Sequence, residues 1–556
     1  MKKRFFIIIL SVLCAAACVL SLSACHGEIP AGILEFELNN DGESYSVRRY
    51  TGDYKEMEVV IPSTYNGKPV TAIGKSAFWA RGDITGVIIP DTVTSIGDNA
   101  FESCDNIKSI VLPPSVTIIG EKAFVNCSSL TSIAIPYSVT DIGNYAFASC
   151  SNLESVTILE TVANLGSFVF NNCDKLQYNF YDNAKYLGNT ENPYAILMEA
   201  SDKKVASCTI HSNAKKIASH AFYNCDKLAS VTIGNSVVSI GDYAFNGCKR
   251  LGSIVIPDKV TSIGDFAFAD CGGVTDVELG NLVESIGKSA FSGCDRIVNM
   301  TVPNTIVRVG KYAFSRCEDL EYNTYGNALY LGNSENPYVV LMKVSNKEIT
   351  SCTINENTKI IYDQAFDDCH YLESITIPDS VKGIGIYAFH ACYNMREVVI
   401  GNSVAYLGEH AFSSSGIRNV ILPDSLTEIG WYALSLCSHL QYSEYDNCKY
   451  LGTADNPYKV LIEASDKEIT SCKVHENTKI IVGVAFDGCD SLTSVTIPSS
   501  VEIINDGAFY YCKAFTDITF EGTAAEWASI RKESGWHYYG SAVTVNCTDT
   551  EVVEKY

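Results

Sequence analysis

The sequence predicts a repeat solenoid, mainly β, in which many short coils of one kind are stacked in a row. Three observations lead to this fold class. An Ala-Phe pair recurs at 23-residue intervals through most of the 556 residues. The apolar residues within one interval follow neither the 3.6-residue spacing of a helix nor the sustained alternation of a strand. With 47% apolar and 19% charged residues, the chain can bury a continuous core and is too apolar to be intrinsically disordered.

The first residues predict export and a lipid anchor. Three basic residues within 1–4 precede an apolar run over 5–20, which favours a secretory signal over a membrane span. The stretch LSAC that ends at Cys25 then resembles the lipobox of bacterial lipoproteins. This resemblance implies a signal peptide over 1–24 and a lipid-modified Cys25 as the first mature residue. The alternative is an ordinary cleavage site with an incidental cysteine.

The two ends of the repeat array differ from its middle, as solenoids require. Residues 33–57 alternate around an Asp-Gly pair, which favours a hairpin that covers the first coil. Near the C-terminus, Thr523 and Glu526 have the spacing of a helix-capping box. We expect Trp527 and Trp536 to close the open end of the core.

Between the ends lie sixteen copies of one unit. The apolar residue that closes each unit's Ala-Phe pair, once preceded by valine and once replaced by leucine, is Phe78, Phe101, Phe124, Phe147, Phe170, Phe222, Phe245, Phe268, Phe291, Phe314, Phe366, Phe389, Phe412, Leu434, Phe486 or Phe509. In the unit 130–150, the piece 132–135 predicts a strand that ends at Pro136, since proline cannot donate a ladder hydrogen bond. Gly143 supplies a tight turn before 144–150, which has room for one or two helical turns. Stacked units can bury what a single unit cannot, at about 4.8 Å per coil.

The repeated text carries a family resemblance. The phrases IGDYAFNGC at Ile240 and LGSIVIPDKVTSIGDFAF at Leu251 resemble the 23-residue leucine-rich repeat of BspA-like bacterial surface proteins, also called the Treponema-type repeat. The resemblance extends from about residue 58 to 520. It implies a leucine-rich-repeat solenoid with a parallel β-sheet on one face and short helical turns on the other. It also implies a surface protein that binds host or neighbouring-cell components. Isoleucine and valine replace the usual strand leucines here, so we expect a tighter coil.

Three insertions of 29 residues interrupt the array, and their texts match one another from Tyr181, Tyr325 and Tyr445 onward. The strand-like pieces KYLG and YAILMEA flank a polar stretch with Asn192-Pro193, which predicts a hairpin with a four- to five-residue turn. The hairpins could protrude from the solenoid or extend its sheet. The hairpins could contact a partner, or they could act as regular spacers of the stack, and both roles stay open.

The expected organisation follows from these patterns. It comprises the signal peptide 1–24, an anchored N-terminus with its capping hairpin 25–57, a first repeat block 58–175, hairpin insertion 176–204, a second block 205–319, insertion 320–348, a third block 349–439, insertion 440–468, a fourth block 469–515 and a C-terminal cap 516–556.

The cysteines predict packing more than chemistry. Fourteen of the 22 lie three residues after an Ala-Phe pair or its equivalent, and 23-residue spacing places them in a row with parallel side-chain vectors. Such a row suits neither disulfides nor a tetrahedral zinc site, so we expect small buried hydrophobes and no bound metal. The same holds for Cys208, Cys352 and Cys472, which replace a strand isoleucine.

Known catalytic patterns do not occur in the sequence. None of the nine histidines lies in HExxH, and there is neither a GxSxG elbow nor a phosphate-binding GxxxxGK motif. Carboxylate pairs from distant coils stay open as an alternative, although nothing singles one out. We therefore predict no catalytic residues and no cofactor.

The position just before the alanine is the main binding candidate, because stacked rings on successive coils suit sugar faces or protein hot spots. The residues of this aromatic stripe are Tyr145, Phe168, Tyr243, Phe266, Tyr312, Tyr387 and Tyr432, with His220 and His410 in the same position. Rings that pack only on each other are the structural alternative. A second candidate is the hydroxyl-rich set of outward strand positions, namely Ser132, Ala134, Ser155, Thr157, Ser230, Thr232, Ser374, Thr376, Ser494 and Thr496.

The formal net charge of −23 disfavours nucleic acid and anionic lipid surfaces as partners. Our hypothesis is a non-enzymatic, adhesin-like protein that is lipid-anchored to the outside of the bacterial envelope. It would bind an extracellular protein or glycan and contact the membrane through its anchor only. The adhesion part follows from the family resemblance. An envelope scaffold without a host ligand and a secreted hydrolase are the alternatives, and the oligomeric state is left open.

Overall fold

The computed structural model describes residues 33–39, 41–52, 57–533, 535–537 and 542–554. The predicted signal peptide and Cys25 lie outside the described residues. The chain forms two compact units, the first ending at Gln177 and the second beginning at Tyr178, except that 39–42 and 157–160 group with the second unit.

The first unit is almost entirely strand and turn. Its strands are β1 (Leu34–Leu38), β2 (Tyr45–Tyr50), β3 (Met57–Val60), β4 (Thr64–Tyr65), β5 (Lys68–Ile73), β6 (Ile84–Ile88), β7 (Ser95–Ile96), β8 (Ile118–Ile119), β9 (Ser132–Ala134), β10 (Asp141–Ile142), β11 (Ser155–Thr157) and β12 (Asn164–Leu165).

The second unit continues the same pattern through three more repeat blocks. Its elements are β13 (Asn179–Tyr181), β14 (Ala184–Leu187), β15 (Ile196–Ala200), β16 (Ser207–Thr209), β17 (Lys216–Ile217), β18 (Ser230–Thr232), β19 (Ser239–Ile240), β20 (Ile254–Val255), β21 (Ser262–Ile263), β22 (Asp276–Glu278), β23 (Ser285–Ile286), β24 (Asn299–Thr301), β25 (Arg308–Val309), β26 (Asn323–Tyr325), β27 (Ala328–Leu331), β28 (Val340–Val344), β29 (Ile360–Ile361), β30 (Ser374–Thr376), β31 (Gly383–Ile384), β32 (Glu397–Val399), β33 (Tyr406–Leu407), β34 (Glu428–Ile429), β35 (Ser443–Tyr445), β36 (Cys448–Leu451), β37 (Val460–Ala464), β38 (Ser471–Lys473), β39 (Ile480–Ile481), β40 (Ser494–Pro498), β41 (Ile503–Ile504), β42 (Asp517–Glu521), α1 (Ala524–Ser529), β43 (Arg531–Lys532), β44 (Val543–Asn546) and β45 (Glu551–Glu554).

A typical coil carries two strands, and each pairs in parallel with its counterpart one coil away. The first is the predicted one, such as β16, which pairs with β18 from Ser207↔Ser230 onward. The second is only two residues long, such as β19, which pairs with β21 from Ser239↔Ser262 onward. The parallel solenoid is confirmed. The second strand was not predicted, because a strand of two residues shows no alternation of apolar and polar side chains.

Overlapping turns join the second strand of a coil to the next first strand, where we predicted short helical turns. The N–H of Ala244 donates to the carbonyl of Gly241 at 3.3 Å, and that of Asn246 donates to Tyr243 at 3.1 Å. The intervening N–H of Phe245 instead donates to the next coil, at Ala267, at 2.7 Å. Because φ is +55° at Tyr243, the backbone leaves the right-handed helical region within each turn. Within the described chain α1 is the one helix, and it belongs to the C-terminal cap.

Stacked phenylalanines form the core of each repeat block. The ring centroids of Phe245 and Phe268 lie 5.0 Å apart with an interplanar angle of 3°. The Phe101 and Phe124 rings repeat this arrangement in the first unit, at 5.0 Å and 10°. Isoleucine and valine side chains from the strands are buried with the rings, as is the alanine that precedes the phenylalanine of most coils, such as Ala244. One coil therefore buries the apolar side of the next, as nearest-neighbour stacking requires.

The insertions extend the sheet, which was one of the two predicted possibilities. In the first insertion β13, β14 and β15 form an antiparallel meander, and β15 then pairs in parallel with β17. The second and third insertions repeat this order with β26–β28 and β35–β37. The connection between β14 and β15 covers 188–195, longer than the predicted turn of four to five residues. Each insertion thus starts a new sheet for the block that follows it.

The ends carry distinct elements. β1 and β2 pair antiparallel, and β2 then pairs in parallel with β5. At the other end Thr523 caps α1, with the predicted capping box to Glu526, and Trp527 and Trp536 are buried. Within the described residues, no helix has the length and apolarity that crossing a bilayer requires.

Candidate binding surfaces

The outward positions of the first strands form an exposed face. In β30 and β38 the pattern is exposed, buried, exposed, so the first and third side chains point to solvent. The predicted hydroxyl-rich positions are all at least partly exposed. Apolar side chains also occupy this face, since Val255, Val399 and Ile421 are about 60% exposed. These apolar residues were not predicted to be exposed. The sequence does contain a signal for them, since they occupy strand positions where other coils have Ser or Thr.

In the second unit this face contains a groove of about 580 Å³. Its lining residues are Asn235, Val255, Ile256, Pro257, Asp258, Lys259, Glu278, Leu279, Gly280, Asn281, Thr301, Pro303, Asn333 and Ser334. These residues come mainly from the ends of β20, β22 and β24 and from the connection of the second insertion, which pairs beside β24 at Thr301↔Gly332. The groove thus combines an exposed valine with amide, hydroxyl, cationic and anionic groups.

Hydrogen bonds hold the walls of this groove. The N–H of Val302 donates to the carbonyl of Gly332 at 2.8 Å, and the Asn333 side chain donates back to Val302 at 2.8 Å. The carboxylate of Asp258 accepts the N–H of Asn281 at 3.0 Å, one coil further on. These contacts are set by the place where the insertion rejoins the sheet, so the sequence could not indicate the groove.

A second groove of about 300 Å³ is lined by charged residues that engage one another. The Arg308 guanidinium donates to both carboxylate oxygens of Glu428, at 2.8 and 2.9 Å, and Lys311 donates to Glu409 at 2.7 Å. The buried Asp363 carboxylate accepts the backbone N–H of Tyr312 and of Ile386, both at 2.8 Å. Burial raises the pKa of Asp363, and these two bonds partly oppose that effect. The arrangement joins neighbouring blocks through ion pairs and hydrogen bonds.

The predicted aromatic stripe is divided into short stacks. Tyr145 stacks on Phe168 at 5.3 Å in the first unit. In the second unit Tyr243 stacks on Phe266 at 4.8 Å and on His220 at 4.9 Å. Neighbouring rings therefore cover part of each other's faces, and Phe168 remains 37% exposed.

A second stack in the same unit has a histidine at its centre. His410 lies between Tyr387, at 4.8 Å, and Tyr432, at 5.3 Å. Tyr312 lies against the Lys311 ammonium, 5.4 Å from the ring centroid, and is 38% exposed, much as Phe168 and Tyr432 are at 37%. Burial lowers the pKa of His410 and raises that of Tyr432. Binding by any of these residues remains a prediction.

The repeated cysteines are free thiols in the core. Most donate to the carbonyl of the preceding coil's phenylalanine, as Cys271 does to Phe245 at 3.1 Å. Burial raises the pKa of Cys248 and of Cys317 to about 12. Such thiols are poor nucleophiles and poor metal ligands, since both roles need the thiolate.

One group among the described residues could offer metal ligands, namely Asp367, Asp368 and His390. The Nδ1 atom of His390 is hydrogen-bonded to Asp367 at 2.8 Å, and Asp368 lies 3.7 Å from the Lys347 ammonium. These contacts already pair the three side chains with protein groups.

Sequence comparison identifies the family. The model of the BspA type leucine rich repeat region matches six copies, over residues 71–191, 200–321, 344–454 and 464–531. These segments cover more than half of the chain, and the protein belongs to this family.

Solved structures of similar proteins include leucine-rich repeat proteins of two bacteria. A leucine-rich repeat protein from Bacteroides ovatus is 21% identical, covering 89% of this chain and 100% of its own, with a TM-score of 0.30. A leucine rich cell surface protein from Faecalibacterium prausnitzii is 26% identical, covering 92% and 100%, with a TM-score of 0.24. No curated protein matches the chain.

Proposed function

We propose that this is a non-enzymatic protein, lipid-anchored through Cys25 to the outside of the bacterial envelope, that binds an extracellular protein or glycan in the manner of an adhesin. The groove of the second unit is the observation that carries the proposal. Its volume lies within the range of about 300–1,000 Å³ that is common for ligand sites.

The composition of the groove supports a polar ligand with some apolar surface. Val255 offers exposed apolar area, while Asn281 and Asn333 offer amide groups. Lys259 and Glu278 add one charge of each sign. Peptide segments and sugar rings both present this mixture of donors, acceptors and C–H surface.

The direct test measures binding of the anchor-less protein to matrix proteins, a glycan array and whole cells. Val255→Arg places a long charged side chain in the groove, and we expect it to weaken saturable binding at least tenfold. Val399→Arg is the matched control, because Val399 is as exposed and lies outside the groove lining. Equal loss in both variants, or undiminished binding by Val255→Arg, would contradict the assignment to the groove.

The same assay separates a second candidate, an envelope scaffold that recognises no host ligand. The stacked stripe favours it, since rings that cover each other's faces stabilise coils without needing a ligand. Absence of binding to the whole panel would support the scaffold. Loss of binding on Tyr312→Ala, at one of the exposed rings of the stripe, would assign the stripe to the binding surface.

The anchor has its own test. We expect labelled fatty acid to be incorporated into the wild type in cells and to be lost in Cys25→Ser. Retained labelling in that variant would refute the lipid anchor and leave the binding proposal unaffected.

A further inference from the structure

Two cysteines outside the repeated row meet where the third insertion joins the block that follows it. Cys448 lies on β36 and Cys472 on β38, which belong to different sheets. Both side chains are buried, and their sulfur atoms are 2.9 Å apart. Optimal non-bonded separations are about 3.5–4.0 Å even for the smaller carbon atoms. The two thiols therefore meet more closely than unbonded sulfur atoms normally do.

The other two insertions supply an internal comparison. Ala184 and Ala328 occupy the position of Cys448, while Cys208 and Cys352 occupy that of Cys472. With alanine opposite, the Cys208 thiol donates to the carbonyl of Asp182 at 3.0 Å. The pair of cysteines is thus specific to the junction between the third insertion and the block that follows it. Because β36 and β38 belong to different sheets, the pair is not part of the parallel row in which a disulfide is disfavoured.

We propose that Cys448 and Cys472 form a disulfide that ties the third insertion to the first coil of the following block. A low-molecular-weight disulfide such as oxidised glutathione serves as the oxidant. One protein thiolate attacks it and releases one glutathione thiolate, giving a mixed disulfide. The second protein thiolate then displaces the second glutathione. Two S–H bonds are replaced by one S–S bond, two electrons reduce the oxidant to two thiols, and the two protons pass to those thiolates.

The burial of both sulfur atoms sets the condition for this reaction. An oxidant reaches them only while the insertion is open, so the bond forms during folding. In the folded protein the same burial shields it from reductants. The row cysteines, such as Cys489, follow one another with parallel side-chain vectors, so we expect them to stay reduced.

The test refolds the fully reduced chain with oxidised and reduced glutathione, then alkylates it in denaturant and maps peptides by mass spectrometry. We expect one cross-linked pair of peptides, containing Cys448 and Cys472, while the row cysteines are alkylated. Full alkylation of both residues, or their linkage to other cysteines, would overturn the proposal.

Two variants give the matched controls. Cys448→Ala restores the residue of the other insertions, and we expect it to fold, to lose the cross-link and to leave Cys472 alkylated. Ala184→Cys should create an equivalent cross-link to Cys208. The wild type should unfold at a lower temperature once reduced, whereas the midpoint of Cys448→Ala should not respond to reductant. An equal response in both proteins would contradict the assignment.

Discussion

At the scale of single residues, recurring side chains of the repeat form hydrogen bonds with backbone groups of the neighbouring coil. The carbonyl of Phe245 accepts two hydrogen bonds, from the N–H of Cys248 in its own coil and from the thiol of Cys271 in the next. Alanine at the second position would remove one of them, whereas serine would bring a more polar group into the core. Cysteine is small, largely apolar and still a donor, which explains its recurrence.

The buried thiols predict a loss of stability in alkaline solution. Burial raises the pKa of Cys248 and of Cys317 from 9.0 to about 12. Their contribution is fully present below pH 9 and falls between pH 9 and 12, because the unfolded chain ionises first. Each such cysteine costs on the order of 1 kcal/mol per pH unit in this window. Urea unfolding between pH 8 and 11 should show the decline.

The double variant Cys248→Ala, Cys317→Ala is the control for this alkaline effect. It should begin less stable at pH 8 and decline less steeply above pH 9, since two ionising groups are missing. An unchanged slope would show that other groups, such as buried tyrosines, cause the decline.

The glycine that follows the second strand, such as Gly264, is explained by the close approach of the backbone of the preceding coil. A Cβ atom on Gly264 would lie 2.6 Å from the nitrogen of Asp242 and 2.7 Å from the carbonyl carbon of Gly241 in the preceding coil. We expect Gly264→Ala to lower the free energy of unfolding by about 1–3 kcal/mol. Gly82→Ala should change it by less than about 0.5 kcal/mol, because no atom lies within 4 Å of that Cβ position. Equal effects in chemical denaturation would contradict this account.

At the scale of elements, each insertion is fixed to the following coil by a buried tyrosine. The hydroxyl oxygen of Tyr186 accepts the N–H of His211 at 3.1 Å, and Tyr450 accepts that of His475 at 3.2 Å. We expect Tyr186→Phe to destabilise the protein by about 1–2 kcal/mol, since the buried N–H loses its acceptor. The exposed Tyr137 is the control, and Tyr137→Phe should leave the denaturation midpoint unchanged.

Some of the secondary-structure elements could be predicted from the sequence, and others could not. The first strand, the capping box and the stacking of coils were predictable, because their signals lie within one unit or repeat sixteen times. The second strand was missed, since Ser239–Ile240 is too short to show alternation. The expected helical turns were replaced by overlapping turns, because a positive φ at Tyr243 ends each one. The groove depends on where Gly332 returns to the sheet, which no local pattern reveals.

At the scale of the whole molecule, nearest-neighbour stacking predicts that damage stays local. Trp527 is fully buried in the C-terminal cap, and its Nε1 atom donates to Glu554 at 2.7 Å. We expect Trp527→Ala to remove about 3–5 kcal/mol of local stability. Amide exchange should accelerate in 469–546 and stay unchanged in 205–319. Trp79→Ala, at a 58% exposed position, is the control. Uniform acceleration along the chain would contradict local stacking.

The antiparallel meanders that begin each new sheet affect how the number of repeats can change during evolution. Each insertion supplies antiparallel strands that begin the sheet of the following block. Losing or duplicating one 23-residue coil inside a block therefore leaves these junctions intact. The groove lies beside one such junction, because Asn333 of the second insertion is among its lining residues. Tandem duplication within the first or third block would therefore lengthen the array and leave the groove lining of the second block unchanged.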